Sequence, residues 1–126
     1  KKLLSVDEIR QLAQHPLITI ENHTLTHACC TRCSVVEFQE EVSQASSKIE
    51  EWTGHKPTML FYPFGAWQQS FDEILPGLGV ISSANSGNCL LDLDNHHSIF
   101  ALPRIALLDD ISLAEATCRL LKAWIR

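Results

Sequence analysis

Two histidines four residues apart are the first chemically suggestive feature of this 126-residue chain: His23 and His27, within Ile20-Glu21-Asn22-His23-Thr24-Leu25-Thr26-His27. They follow a short apolar run, Leu17-Ile18-Thr19-Ile20, and an α/β sheet places its ligand sites at the carboxyl ends of strands. If the chain turns helically here, both imidazoles point the same way and can share a zinc ion. Two histidines at this spacing also co-occur by chance, so the pair alone leaves metal binding open. Glu21 stands beside them and could bind metal, but a strand-end carboxylate more often faces water or pairs with a base. Asn22-His23-Thr24 fits a glycosylation sequon, a poor acceptor beside a strand-end pocket.

Cysteines crowd the same stretch. Cys29, Cys30 and Cys33 follow His27, and Cys89 and Cys118 bring the count to five, an odd number that fits a disulfide framework poorly. His23, His27, Cys30 and Cys33 have the residue types of a Cys2His2 zinc knuckle. All four fall within eleven residues, however, leaving no apolar loop to fold around a metal. The thiols read better as small packing residues. His15 and His55 read as surface turn residues, His96-His97 as a solvated pair in a polar loop, and Asp109-Asp110 as a turn.

The elements that must position these residues are legible. Four Ser-x-x-Glu capping boxes mark helix starts: Ser5/Glu8, Ser34/Glu37, Ser70/Glu73 and Ser112/Glu115. After Ser34, the residues Phe38, Val42, Ala45, Ile49 and Trp52 form one apolar stripe that ends at Gly54 and Pro57. Leu113, Ala116, Leu120 and Trp124 repeat the pattern after Ser112, whereas Pro76 and Gly77 keep the helix after Ser70 short. The first helix runs from about Val6 to Gln14, ahead of Pro16. Between helices lie runs of strand character: 17–20, 59–62, 79–82 and 99–102, the last resuming at 105–108. Short apolar runs alternating with helices predict parallel strands covered on both faces, in a single domain spanning 1–126.

Composition bounds the function. Hydrophobic residues at 45% and charged residues at 20% exclude a disordered or fibrous chain. A net charge of -5 argues against a nucleic-acid surface. No apolar run approaches the ~20 residues of a transmembrane helix, and Lys1-Lys2-Leu3-Leu4 meets Asp7 and Glu8 too soon for a signal peptide.

A second motif sharpens the histidine reading. Phe61-Tyr62-Pro63-Phe64-Gly65 ends the next strand, and with the histidine segment it resembles the polysaccharide deacetylase family (NodB-type, carbohydrate esterase 4). His23-Thr24-Leu25-Thr26-His27 matches the family's His-(Ser/Thr)-x-x-His, and Glu40-Glu41, Gly54, Pro57 and Pro103-Arg104-Ile105 follow in its order. The resemblance implies a partial (β/α) barrel of about four mostly parallel strands with flanking helices. It also implies hydrolysis of the N-acetyl group of an N-acetylated polysaccharide, dependent on zinc or another divalent metal. His23 and His27 would be metal ligands, with Thr24 packing or bonding behind them. The Phe64 backbone amide would donate to the oxyanion, Tyr62, Pro63 and Phe64 would wall the glycan cleft, and Arg104 would orient the base. Such relatives work on envelope polysaccharides, implying a bacterial source, although five thiols suit a reducing cytoplasm.

The pattern departs from the family in two places. Its first motif, an apolar strand ending in Thr-Phe-Asp-Asp-Gly, supplies the general base and the third zinc ligand and has no counterpart before His23. Its late Leu-x-His motif, the source of the general acid, also lacks a convincing match. The expectation is therefore a domain lacking its first strand, inactive alone and self-associating through an exposed sheet edge. The alternative is a catalytically inactive deacetylase-like module for carbohydrate or metal binding, or for assembly.

Overall fold

Serine oxygens and glutamates start the two clearest helices, as their spacing predicts. In the computed structural model, which describes residues 3–87, 98–106 and 110–125, α1 (Val6–Ala13) and α2 (Val35–Thr53) each begin at a complete capping box. At α2 the Ser34 amide and hydroxyl both donate to Glu37, which pulls that carboxyl below its ordinary range. Gly54 ends α2 in a left-handed conformation (φ 76°), one that costs glycine nothing.

The other two boxes differ. Ser70 is already helical and caps nothing, because the carbonyls of Gln68 and Gln69 take the amides of Phe71 and Asp72, leaving a short α3 (Phe71–Ile74). At α4 (Leu113–Ile125) Ser112 accepts from the Glu115 amide, but the Glu115 carboxylate turns forward to Arg119.

The sheet is parallel and built in chain order. Strand β1 (Met59–Phe61) pairs with β2 (Ser82–Ala84) in the register Met59–Ser82, Leu60–Ser83 and Phe61–Ala84. A single parallel bridge from Asn22 to Leu60 extends it on one side, and one from Leu102 to Ala84 extends it on the other. The four segments foreseen at 17–20, 59–62, 79–82 and 99–102 thus reduce to two short strands and two bridges.

Each shortfall has a local cause. Residues 17–20 form no strand: the Leu17 amide donates to the His15 ring, Ile18 donates to the His15 carbonyl, and Leu17 stays 88% exposed. The Glu21 carboxylate then takes the Thr58 and Met59 amides, so pairing with β1 begins only at Asn22. The strand expected over 79–82 starts three residues late, since the Gly79 and Val80 amides donate to the Pro76 and Leu75 carbonyls and close the preceding 3-10 turn over Leu75–Leu78. Ile99 and Phe100 lie in a turn, and Ile105–Ala106 form no strand, while Leu107 and Leu108 lie outside the described residues.

The core forms where α2 covers the sheet. Phe38 and Val42 pack with Leu60, Tyr62, Phe71, Leu75, Val80, Phe100 and Cys30, and the Phe38 and Phe71 rings stack at 4.0 Å. Of the α2 stripe, Phe38, Val42 and Ala45 are buried, and Ile49 and Trp52 are half-buried. Truncation of Phe38 to Ala should cost about 3–5 kcal/mol, read from the urea unfolding midpoint. The α2 cap should respond to acid. Glu37 titrates lower folded than unfolded, so its contribution is complete above the unfolded carboxyl pKa and is lost as pH falls through the folded one. The stability difference between wild type and Ser34→Ala should therefore shrink on acidification.

Candidate functional site

The histidine segment leaves the sheet at Asn22, whose backbone joins β1 in both directions. Its amide donates to the Met59 carbonyl (3.1 Å), and its carbonyl accepts from the Phe61 amide (2.8 Å). Two residues later the backbone enters the left-handed region at Thr24 (φ 63°), and again at His27 (φ 61°). For a β-branched residue such as Thr this conformation is a true outlier, and non-glycine residues held there cost about 1–3 kcal/mol each. No helix forms. The two turns bring the rings together instead, with centroids 4.9 Å apart and planes at 78°.

Hydrogen bonds decide which imidazole nitrogen is available. His23 Nδ1 lies in a short contact with the Phe61 carbonyl. A carbonyl can only accept, so Nδ1 donates, and in the neutral ring this leaves the lone pair on Nε2, as in a metal-ligating histidine. The Glu41 carboxylate of α2 anchors the loop further by accepting from the Thr26 amide (2.9 Å) and hydroxyl (2.8 Å). The Thr24 hydroxyl is buried and has no hydrogen-bond partner among the described residues.

The second motif arrives at the same place. Phe64 (φ 59°) is the third left-handed residue, and its ring meets His27 edge-on at 4.9 Å while remaining 72% exposed. It lies in a 3-10 turn over Pro63–Gly65 whose own hydrogen bonds begin at Gly65 and Ala66, so the Phe64 amide takes no part in them. Gly65 is needed beside it, since a Cβ there would sit 2.7 Å from the Ser86 backbone nitrogen.

Two residues expected to wall a cleft do not. Tyr62 and Pro63 are buried, and Tyr62 is 1% exposed. Phe61 and Tyr62 point to opposite faces, which sends the tyrosine inward. Its hydroxyl lies 2.9 Å from Ser83 Oγ, which in turn lies 2.6 Å from the Phe100 carbonyl, and burial pushes the phenol well above its usual pKa. Phe64 alone of the three offers its side chain to a ligand. Arg104 stacks its guanidinium 5.0 Å from the centre of the Phe61 ring and donates from Nε to the Asn85 carbonyl. It thus braces the strand ends and approaches no carboxylate among the described residues.

Reading the sequence missed the residues that hold this loop. Asn22, considered only as a sequon, is 1% exposed and accepts from the Thr24 amide at 2.7 Å. Its Nδ2 donates to the Val42 carbonyl and to Ser46 Oγ of α2, both at 2.8 Å. A signal existed, because Ser46 follows Phe38 and Val42 at steps of four on the buried face.

The remaining candidates divide in the same way. Among the described residues no three His, Cys, Asp or Glu side chains come together to hold a metal, which removes the cysteine knuckle. Cys30 is buried and Cys33 packs against the core. Burial, with Cys33 and Cys29 nearby, pushes the Cys30 thiol up to about 12. His15 and His55 are exposed, and Glu21 serves β1. Cys89, His96, His97 and Asp109 lie outside the described residues. Alkylation near pH 8 should accordingly label the exposed Cys118 and spare Cys30 until the protein unfolds, as peptide mapping would show.

Known proteins share this fold. The polysaccharide deacetylase family model matches residues 5–81, more than half of the chain, whereas no curated protein matches it. The structure is similar to that of the Streptococcus pyogenes deacetylase PplD in complex with acetate, with a TM-score of 0.78 and 15% identity over 93% of this chain and 50% of that one. It is similar to BC0361, a polysaccharide deacetylase from Bacillus cereus (TM-score 0.72, 17% identity, 92% of this chain and 36% of that one). A de-N-acetylase from Aggregatibacter actinomycetemcomitans gives a TM-score of 0.71 at 15% identity, over 93% and 53%. The chain spans about half or less of each of these structures, and at such identities the likeness shows the fold. With the paired histidines and the Phe64 turn at adjacent strand ends inside the matched span, this chain belongs to the polysaccharide deacetylase family.

Proposed function

We propose that this chain carries part of the active site of a metal-dependent deacetylase that removes the N-acetyl group from an N-acetylated polysaccharide. The observation that carries the reading is the edge-on pair of imidazoles, packed against an exposed aromatic ring at the carboxyl ends of neighbouring parallel segments. The four parallel segments in chain order fit an arc of a (β/α) barrel.

The donor set suits zinc in part. His23 offers Nε2 because Phe61 holds Nδ1, and His27 stands beside it, giving two of the three protein ligands a catalytic zinc ordinarily keeps. Zinc, when bound, supplies polarisation of the acetamide carbonyl and a more acidic water. The chain's own residues orient the substrate. The Phe64 amide, outside the hydrogen bonds of its turn, is the donor proposed for the oxyanion, and the Phe64 ring is the wall for the sugar. By the family resemblance, the base and third ligand belong to the Asp-Asp motif that has no counterpart before His23. The edge of the Asn22 segment facing away from β1 has no strand partner among the described residues, and self-association through it belongs to the same proposal.

A second reading, a non-catalytic module that binds glycan or metal, draws on the two imidazoles standing without a third ligand among the described residues. Among the described residues no helix is long and apolar enough to cross a membrane.

Zinc should bind this chain weakly, and His23→Gln or His27→Gln should each reduce the affinity by about 100-fold or more, since outer partners of ligands alone are worth about 10–100-fold. Competition with a chromophoric chelator measures this, and unchanged affinity in both variants would exclude the pair as ligands. No acetate should be released from an N-acetylglucosamine oligomer by this chain alone. Robust release would overturn the partial-site reading. Glycan binding without release, by a chain that includes an Asp-Asp segment, would favour the second reading.

A further inference from the structure

Three strained residues, Thr24, Phe64 and His27 itself, lie at the imidazole pair, and a left-handed Thr does not persist without something to hold it. The holding group is the Asn22 carboxamide. Its oxygen accepts from the Thr24 amide two residues on, a turn in which the side chain stands in for backbone. Both hydrogens of its Nδ2 are committed to α2, one to the Val42 carbonyl and one to Ser46 Oγ. Its backbone amide and carbonyl are committed to β1. Every donor of the residue is therefore used, inside the protein, where an unmade bond costs most.

The arrangement reaches His23 by two routes. The Thr24 turn sets the backbone on one side of the ring. On the other, the Phe61 residue whose amide binds the Asn22 carbonyl presents its own carbonyl to His23 Nδ1. We infer that Asn22 is a positioning residue for the imidazole pair, transmitting the placement of α2 and β1 to His23 and fixing its proton on Nδ1. This deepens the proposed function, since its purpose rests on His23 serving as a ligand through Nε2. The inference itself concerns the tautomer, which is observable without metal or substrate.

Imidazole nitrogen NMR on the metal-free protein reads the tautomer directly. Wild type should show His23 with the proton on Nδ1. In Asn22→Ala the turn loses its acceptor, and the Nε2–H form, ordinarily preferred by free histidine, should appear. Asn22→Asp keeps the acceptor for Thr24 but turns an oxygen toward the Val42 carbonyl. It should lose stability yet retain the Nδ1–H form. A merely structural role would tie the two together and make both variants behave alike. Should Asn22→Ala fail to fold, Ser46→Ala decides, because removing one of the two α2 anchors should let a second His23 tautomer appear. A single unchanged Nδ1–H form in folded Asn22→Ala, or in Ser46→Ala if that variant must decide, overturns the inference. That result would leave the deacetylase reading intact. Failure to bind zinc or release acetate would overturn the deacetylase reading and leave the tautomer result standing.

Discussion

The buried carboxamide of Asn22 is the interaction on which the rest of the site depends. It joins α2 to the histidine loop through bonds of 2.7–2.8 Å, while the backbone of the same residue, 1% exposed, bonds β1 at 2.8 and 3.1 Å. A buried amide is costly unless every polar atom finds a partner, and rigid once it does. That rigidity is what lets Thr24 stay in a conformation that L-residues avoid, while Glu41 anchors the loop at Thr26 beside His27. Without it, two histidines in a loop would sample many arrangements and form no lasting pair.

The scaffold around this point is economical. α2 supplies packing through Phe38 and Val42, and polar contacts through Ser46 and Glu41 from the same element. The capping box at Ser34 fixes where α2 begins, and therefore where Ser46 and Glu41 fall along it. β1 in turn carries Leu60 into the core while its last residue, Phe61, offers a carbonyl to His23 and a ring face to Arg104. One short strand thus ties core, histidine tautomer and cation stacking together. Cys30 and Cys33 contribute packing, and the raised pKa of the buried Cys30 is the chemical sign of that role.

Much of this was open to reading in advance. Helix starts at Ser5 and Ser34 followed from local chemistry, because a serine and a glutamate three residues apart complete each other's bonds without distant help. The apolar stripe of α2 and the strand at 59–61 followed from periodicity and run length. Ser70 failed as a cap because neighbouring carbonyls had already taken its amides. Residues 17–20 failed as a strand because apolar character says nothing about whether a partner's amides remain available, and Glu21 had claimed them.

By itself, the sequence determined the α/β order, the helix caps and the placement of His23, His27 and Phe64 near strand ends, since these arise from neighbouring residues and from motifs whose order survives folding. Tertiary structure alone decided how the histidines meet. They pair through two left-handed residues rather than a helical turn, and the first of these is held where an amide from one segment finds acceptors on another. It also decided that Tyr62 faces the core while Phe64 faces solvent. Burial is a property of the packed structure: Tyr62 continues the inward face of β1 with its hydroxyl bonded to Ser83, whereas Phe64, two residues on, lies in the turn that leaves the sheet.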